Sequence, residues 1–115
     1  MATEKMEIIT TVGTRDGQKL LTLKGALTIH TIFNFQTAVR EGSTAALIID
    51  FSNVPFMDSA GLGALVGARV ALQKANRKLA LAGLNTPVKA LLDMSKVTQF
   101  FPIYPTVEEA QAAFA

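Results

Sequence analysis

A chain of 115 residues, half of them hydrophobic and 17% charged, has the size of one domain and enough apolar residues to bury a core, which excludes a disordered polypeptide. It contains no cysteine, so disulfides, thiolate nucleophiles and cysteine-held metals are excluded. The net charge is +2, but the basic residues are scattered and form no run interleaved with aromatics, which argues against direct nucleic-acid binding.

Residues 1–115 are expected to fold as a single α/β domain. The N-terminal residues mix both charge signs and lack the apolar core of a signal peptide, so a cytoplasmic location is expected. The longest apolar candidate for a span, 60–68, ends at Arg69, far short of the ~20 residues that a membrane helix needs, and no membrane insertion is expected.

Along the chain, 6–14 alternates weakly and 19–24 more clearly, with Asp16-Gly17 between them, which predicts a β-hairpin. From 28 to 41, Ile29, Ile32, Phe33, Phe35, Ala38 and Val39 recur at helical spacing, and Gly42 supplies a stop. The run 45–51 reads as a strand buried on both faces. A helix over 60–76 follows, opened by Asp58 or Ser59 as its N-cap.

A strand is expected at 78–84. Thr86-Pro87 then places a capping residue before a proline that starts a helix running to about Met94. The aromatic stretch 99–104 suits a short strand, and Thr106 with Glu109 forms a capping box that opens a last helix. A hairpin followed by alternating strands and helices implies a mixed, mostly parallel sheet of four to five strands with right-handed crossovers, covered by about four helices.

The information is concentrated at 50–63, where a buried strand feeds a loop that ends at a small, glycine-rich helix start. A phosphate on Ser59 would meet unpaired N–H groups and the positive end of the helix dipole, while adding about 1.5 to 2 negative charges toward any partner. Asp58 and Ser59 also read simply as capping residues. Ala60, Gly61, Gly63, Ala64, Gly67, Ala68 and Ala71 make the helix small-faced, a pattern that suits either close packing on its own sheet or a docking surface.

Two stretches, Asp50-Phe-Ser-Asn-Val54 and Phe56-Met-Asp-Ser-Ala-Gly-Leu-Gly63, resemble the signature of the STAS family, in particular its anti-sigma factor antagonists. Gly25-Ala-Leu-Thr28 is similar to the family's Gly-x-Leu-Asp segment, with Thr28 where many phosphorylated members carry aspartate. The resemblance implies a non-enzymatic switch. Unmodified, it binds an anti-sigma factor that is also a serine kinase; phosphorylation of Ser59 by that kinase releases it, and a serine phosphatase resets it. By the same resemblance, Asp58, Ala60, Gly61, Leu62 and Gly63 face the partner, and neither cofactor nor metal is needed. The alternative within the family is a STAS scaffold or regulatory subunit of a stress-signalling or lipid-transport assembly, without a phosphoswitch.

Other chemistries fit less well. The single histidine, His30, precedes Ser59, and Met57 occupies the place of the first glycine of a Gly-x-Ser-x-Gly elbow, so a serine hydrolase is disfavoured. Gly61-Leu-Gly63 and Gly67 approximate a dinucleotide fingerprint, but the spacing is off by one and residues 52–58 separate it from the strand. Glu108 and Glu109 suit the first turn of the last helix, and Phe100, Phe101 and Tyr104 suit core and edge packing better than a partner groove.

Overall fold

The apolar run at 45–51 becomes the central strand β3 (Ala46–Asn53), and its alternation separates two layers. In the computed structural model, which describes residues 5–13, 17–42 and 44–113, Leu47, Ile49 and Phe51 enter the main core while Ile48 enters a smaller cluster on the opposite face. All four side chains are fully buried, each contributing about 1.5–3 kcal/mol relative to exposure.

Strands β1 (Glu7–Val12), β2 (Gln18–Lys24), β3, β4 (Lys78–Ala82) and β5 (Ile103–Tyr104) lie side by side in chain order. β1 is antiparallel to β2, and every later pairing is parallel. The parallel neighbours are joined through α1 (Ile32–Arg40), α2 (Ser59–Lys74) and α3 (Thr86–Met94). These three helices supply Phe35, Leu65, Leu72, Val88 and Leu92 to the main core. The last helix, α4 (Val107–Ala113), covers the other face, where Ala110 packs with Ile48, Ala80 and Ala82. This is the mixed five-strand sheet with four helices that the pattern predicts. Among the described residues, no helix is long and apolar enough to cross a membrane.

Several boundaries differ from those expected. Gly17 of the expected turn lies just before β2, while Thr14, the end of the first expected strand, and Asp16 of the turn lie outside the described residues. α1 begins at Ile32 rather than at residue 28, because Thr28 to Thr31 closes a separate turn with its own hydroxyls. The cap of α3 is Asn85, whose side chain accepts from the Val88 N–H at 3.0 Å, so Thr86 is already inside the helix. At the start of α4, Thr106 Oγ1 accepts from the Glu109 N–H at 3.2 Å, one half of the expected capping box.

The far end of α1 is held by a charge that the pattern did not single out. Lys19, 8% exposed on β2, donates from Nζ to the carbonyl of Glu41 at 2.8 Å and to that of Ala38 at 3.5 Å. A cation there satisfies carbonyls left open at the helix C-terminus and matches the sign of the dipole.

Candidate functional site

The segment after β3 folds back over the start of α1 because two loops are sewn together by their backbones. Leu27 N–H donates to the Phe56 carbonyl, Asp58 N–H donates to the Leu27 carbonyl, and Leu27 pairs with Met57 as an isolated parallel bridge. Asp58 completes the seam: Oδ1 accepts from the Gly61 N–H at 2.8 Å, capping α2, and Oδ2 accepts from the Ile29 N–H at 3.1 Å. Of the two candidate caps, Asp58 is therefore the one used. Its carboxylate is occupied by two backbone donors, one from each loop.

Ser59 is the first residue of α2 and is exposed. The Asp58 side chain takes the Gly61 N–H, and the N–H groups of Ser59 and Ala60 have no partner among the described residues. A 16-residue helix thus presents its positive end at an accessible hydroxyl. Asp58, Ala60 and Leu62 are half-buried, and Leu62 leans on the core. Gly61 is buried, and a Cβ built there would lie 2.1 Å from the Leu27 carbonyl oxygen. Only a residue without a side chain lets α2 sit on the Leu27 backbone, so Gly61 shapes the site from beneath.

Gly63 and Gly67 are different. Both are exposed, and a Cβ at either meets nothing within 4 Å. Together with Ala71 on α2 and Gln36 and Arg40 on α1, they line an open groove of about 170 Å³ between the two helices. The small-faced helix is therefore divided: Gly61, Ala64 and Ala68 pack inward, while Gly63 and Gly67 form a bare ridge beside Ser59. The loops around it also expose apolar side chains, Ile29 at 59% and Phe56 at 48%.

Thr28, at the position of the family aspartate, is 3% exposed. Its Oγ1 accepts from the His30 N–H at 3.2 Å, and its carbonyl accepts from Thr31 and Ile32. Its hydroxyl closes the turn ahead of α1 without adding a charge. No hydrogen bond joins His30 to Ser59 among the described residues, and no group of three potential metal ligands occurs among them. Gly61, Gly63 and Gly67 all lie inside α2, where the Asp58 cap and helical bonding use the backbone that a nucleotide loop would keep free.

Local sequence pattern does not encode which loop the Asp58–Ile29 and Gly61–Leu27 seam joins, which glycine it needs, or that Asp58 serves both sides. The only available signal was that Gly25-Ala-Leu-Thr28 and the Ser59 motif occur in one chain.

A five-stranded mixed sheet with three helices on one face, and an accessible serine at the start of its second helix, defines a small α/β module built to present one helix terminus and its loops. The STAS domain family model matches residues 9–110, and the chain belongs to that family. It is 30% identical over 92 residues to an anti-sigma F factor antagonist from Paenibacillus polymyxa, covering 76% of this chain and 79% of the relative. It is 28% identical over 74 residues to an anti-sigma-B factor antagonist from Staphylococcus aureus, covering 62% and 68% respectively. The solved structure of an anti-sigma factor antagonist from Mycobacterium paratuberculosis superposes with a TM-score of 0.78 at 26% identity, covering 93% of both chains.

Proposed function

We propose that this protein is a cytoplasmic, non-enzymatic anti-sigma factor antagonist. In its unmodified form it binds an anti-sigma factor that is also a serine kinase, and phosphorylation of Ser59 ends the complex. A serine phosphatase acting on phosphorylated Ser59 resets it. The observation that carries this reading is the exposed Ser59 hydroxyl at the start of α2, beside a ridge of two glycines that no intramolecular packing requires.

Each exposed helical glycine destabilises α2 by about 1 kcal/mol relative to alanine. Nothing in the fold offsets that cost at Gly63 and Gly67, so close approach of another molecule's backbone supplies the reason for them. Asp58, Ser59, Ala60, Leu62 and Gly63 form the partner-facing edge, and Gly61 sets its height by resting on Leu27. Phosphate at Ser59 leaves the fold intact because α2's terminus favours an anion, yet it places about 1.5 to 2 negative charges among exposed Ile29 and Phe56, where an apolar partner surface would have to desolvate them.

The test is intact mass after incubation with ATP and each histidine-kinase-like anti-sigma protein encoded in the same genome, with Ser59→Ala as control. A gain of one phosphate that disappears in the control supports the switch and identifies the partner. No gain with any active candidate would overturn the phosphoswitch. Ser59→Ala is expected to bind as the unmodified protein does, and Ser59→Asp to bind more weakly.

A further inference from the structure

Basic residues that are scattered in the sequence converge at the end of α2 remote from Ser59. Arg69 and Lys74 lie on α2, and Arg77 and Lys78 lie on the turn into β4 and its first residue. Arg69 stands about 15 Å beyond Ser59 along the helix, so this end is distinct from the switch. Among the described residues the sole side-chain ion pair joins Lys89 to Asp93, so none of these four cations is paired with a carboxylate.

Three of them line one open cleft of about 250 Å³, whose remaining wall is Gln73 with Leu79, Phe100 and Pro102. Both guanidinium groups are held in place from behind. Arg69 donates from Nε to the Phe100 carbonyl and from NH1 to Gln73 Oε1 at 3.0 Å, and its Cζ lies 5.4 Å from the centroid of the Phe100 ring. Arg77 donates from Nε to the Thr44 carbonyl and from NH2 to Thr44 Oγ1 at 3.2 Å. Each arginine therefore keeps one terminal nitrogen, NH2 of Arg69 and NH1 of Arg77, without a partner among the described residues. Each is fixed before any ligand arrives. No acidic side chain lines the cleft.

From this geometry we propose that the cleft bounded by Arg69, Arg77 and Lys78 is a second binding site, which takes a phosphate monoester with a small apolar body. Two pre-positioned guanidinium groups and an ammonium match a doubly charged, multi-oxygen anion better than a single carboxylate. Leu79, Phe100 and Pro102 offer the ester group an apolar wall, and the volume suits a small molecule or one phosphorylated side chain rather than a polymer. A free metabolite and a phosphorylated residue on another protein present the same chemistry.

The experiment is a two-dimensional amide NMR titration of the full chain with phenyl phosphate, in parallel with benzoate, inorganic phosphate and a short phosphoserine peptide. Saturable shifts confined to Arg69, Gln73, Arg77, Lys78 and their neighbours are expected with phenyl phosphate. Benzoate should bind at least about tenfold more weakly, the consequence of losing one charge and its hydrogen bonds. Lys78→Gln and Arg69→Gln, each checked for an unchanged melting temperature, should each weaken binding by about tenfold.

Tighter binding of phenyl phosphate than of the peptide assigns the site to a free metabolite; the reverse assigns it to a phosphorylated protein. Inorganic phosphate binding as tightly as phenyl phosphate would overturn the apolar part of the assignment. Absence of saturation with every probe, or shifts unchanged in both variants, would overturn the site itself. Because Ser59 lies outside the cleft, none of these outcomes depends on the phosphoswitch.

Discussion

Asp58 and Gly61 are the two residues on which the geometry at Ser59 rests, and their substitutions should report different physics. Asp58→Ala removes the cap of α2 and the acceptor for the Ile29 N–H, a loss of about 1–3 kcal/mol. Asp58→Asn keeps one oxygen, enough for one donor only, and should fall between the two in thermal melts. Equal melting temperatures for wild type and Asp58→Ala would remove the seam from the account. Gly61→Ala forces a methyl to within 2.1 Å of the Leu27 carbonyl oxygen, so the helix must shift, at a cost of about 1–3 kcal/mol despite alanine's better helix propensity. The capping role of Asp58 was open in the sequence as one of two choices, since spacing alone shows that an Asx or Ser residue precedes a helix. Its bond to Ile29 was not, because it joins residues 29 apart through a fold that no local pattern encodes.

At the level of elements, α2 can be asked directly whether its glycines serve packing or docking. The double substitution Gly63→Ala and Gly67→Ala should stabilise the protein by about 2 kcal/mol in denaturant unfolding, the opposite sign to Gly61→Ala. If the proposed function holds, the same variant should lose affinity for an anti-sigma partner, because two methyl groups would cover the glycine surface on which it would sit. Unchanged affinity in the stabilised variant would show that the ridge contributes nothing to docking. α3 carries a pH-dependent contribution. Asp93 accepts from Thr98 Oγ1 at 2.6 Å and pairs with Lys89 at 3.2 Å, and these hydrogen bonds, Thr98's first, hold its carboxyl below the usual carboxylate range. A pKa lowered on folding means stability that is present above the unfolded-state pKa and lost as pH falls through the folded-state one. Melting temperatures of wild type and Asp93→Asn should differ near pH 6 and converge toward about pH 2. A difference that does not change with pH would mean that the charge of Asp93 plays no part. Element order was legible here because short apolar runs and stretches of helical spacing follow one another, separated by turn and capping residues such as Asp16-Gly17, Gly42 and Thr86-Pro87. The start of α1 was not, since Ile29 fits the helical period but sits in a hydroxyl-closed turn stabilised by Thr28 and Thr31.

Across the whole molecule, the surface around Ser59 proposed as the switch sits at one end of α2 and the basic cleft at the other, and a core shared by three helices lies between them and the sheet. A sequence of scattered cations gave no hint of that cleft, because Arg69 and Arg77 approach Phe100 and Thr44 only after the chain has folded. The same core bears on how the proposed phosphorylation of Ser59 would act. Ser59 is exposed, the nearest seam is made by Asp58 and backbone groups, and neither needs the Ser59 hydroxyl. The modification should therefore change the surface and leave the fold alone. Ser59→Asp is expected to melt within about 2 °C of wild type, well inside the change that the loss of a buried contact produces in a domain this size. Its amide hydrogen exchange should match wild type throughout β3, whose buried strand exchanges only through large-scale opening, with differences confined to the first turn of α2 and the 26–30 loop bound to it. If exchange instead rose across β3 and β4, the charge would be acting by loosening the core, and release of the partner would be a consequence of partial unfolding rather than of a changed surface.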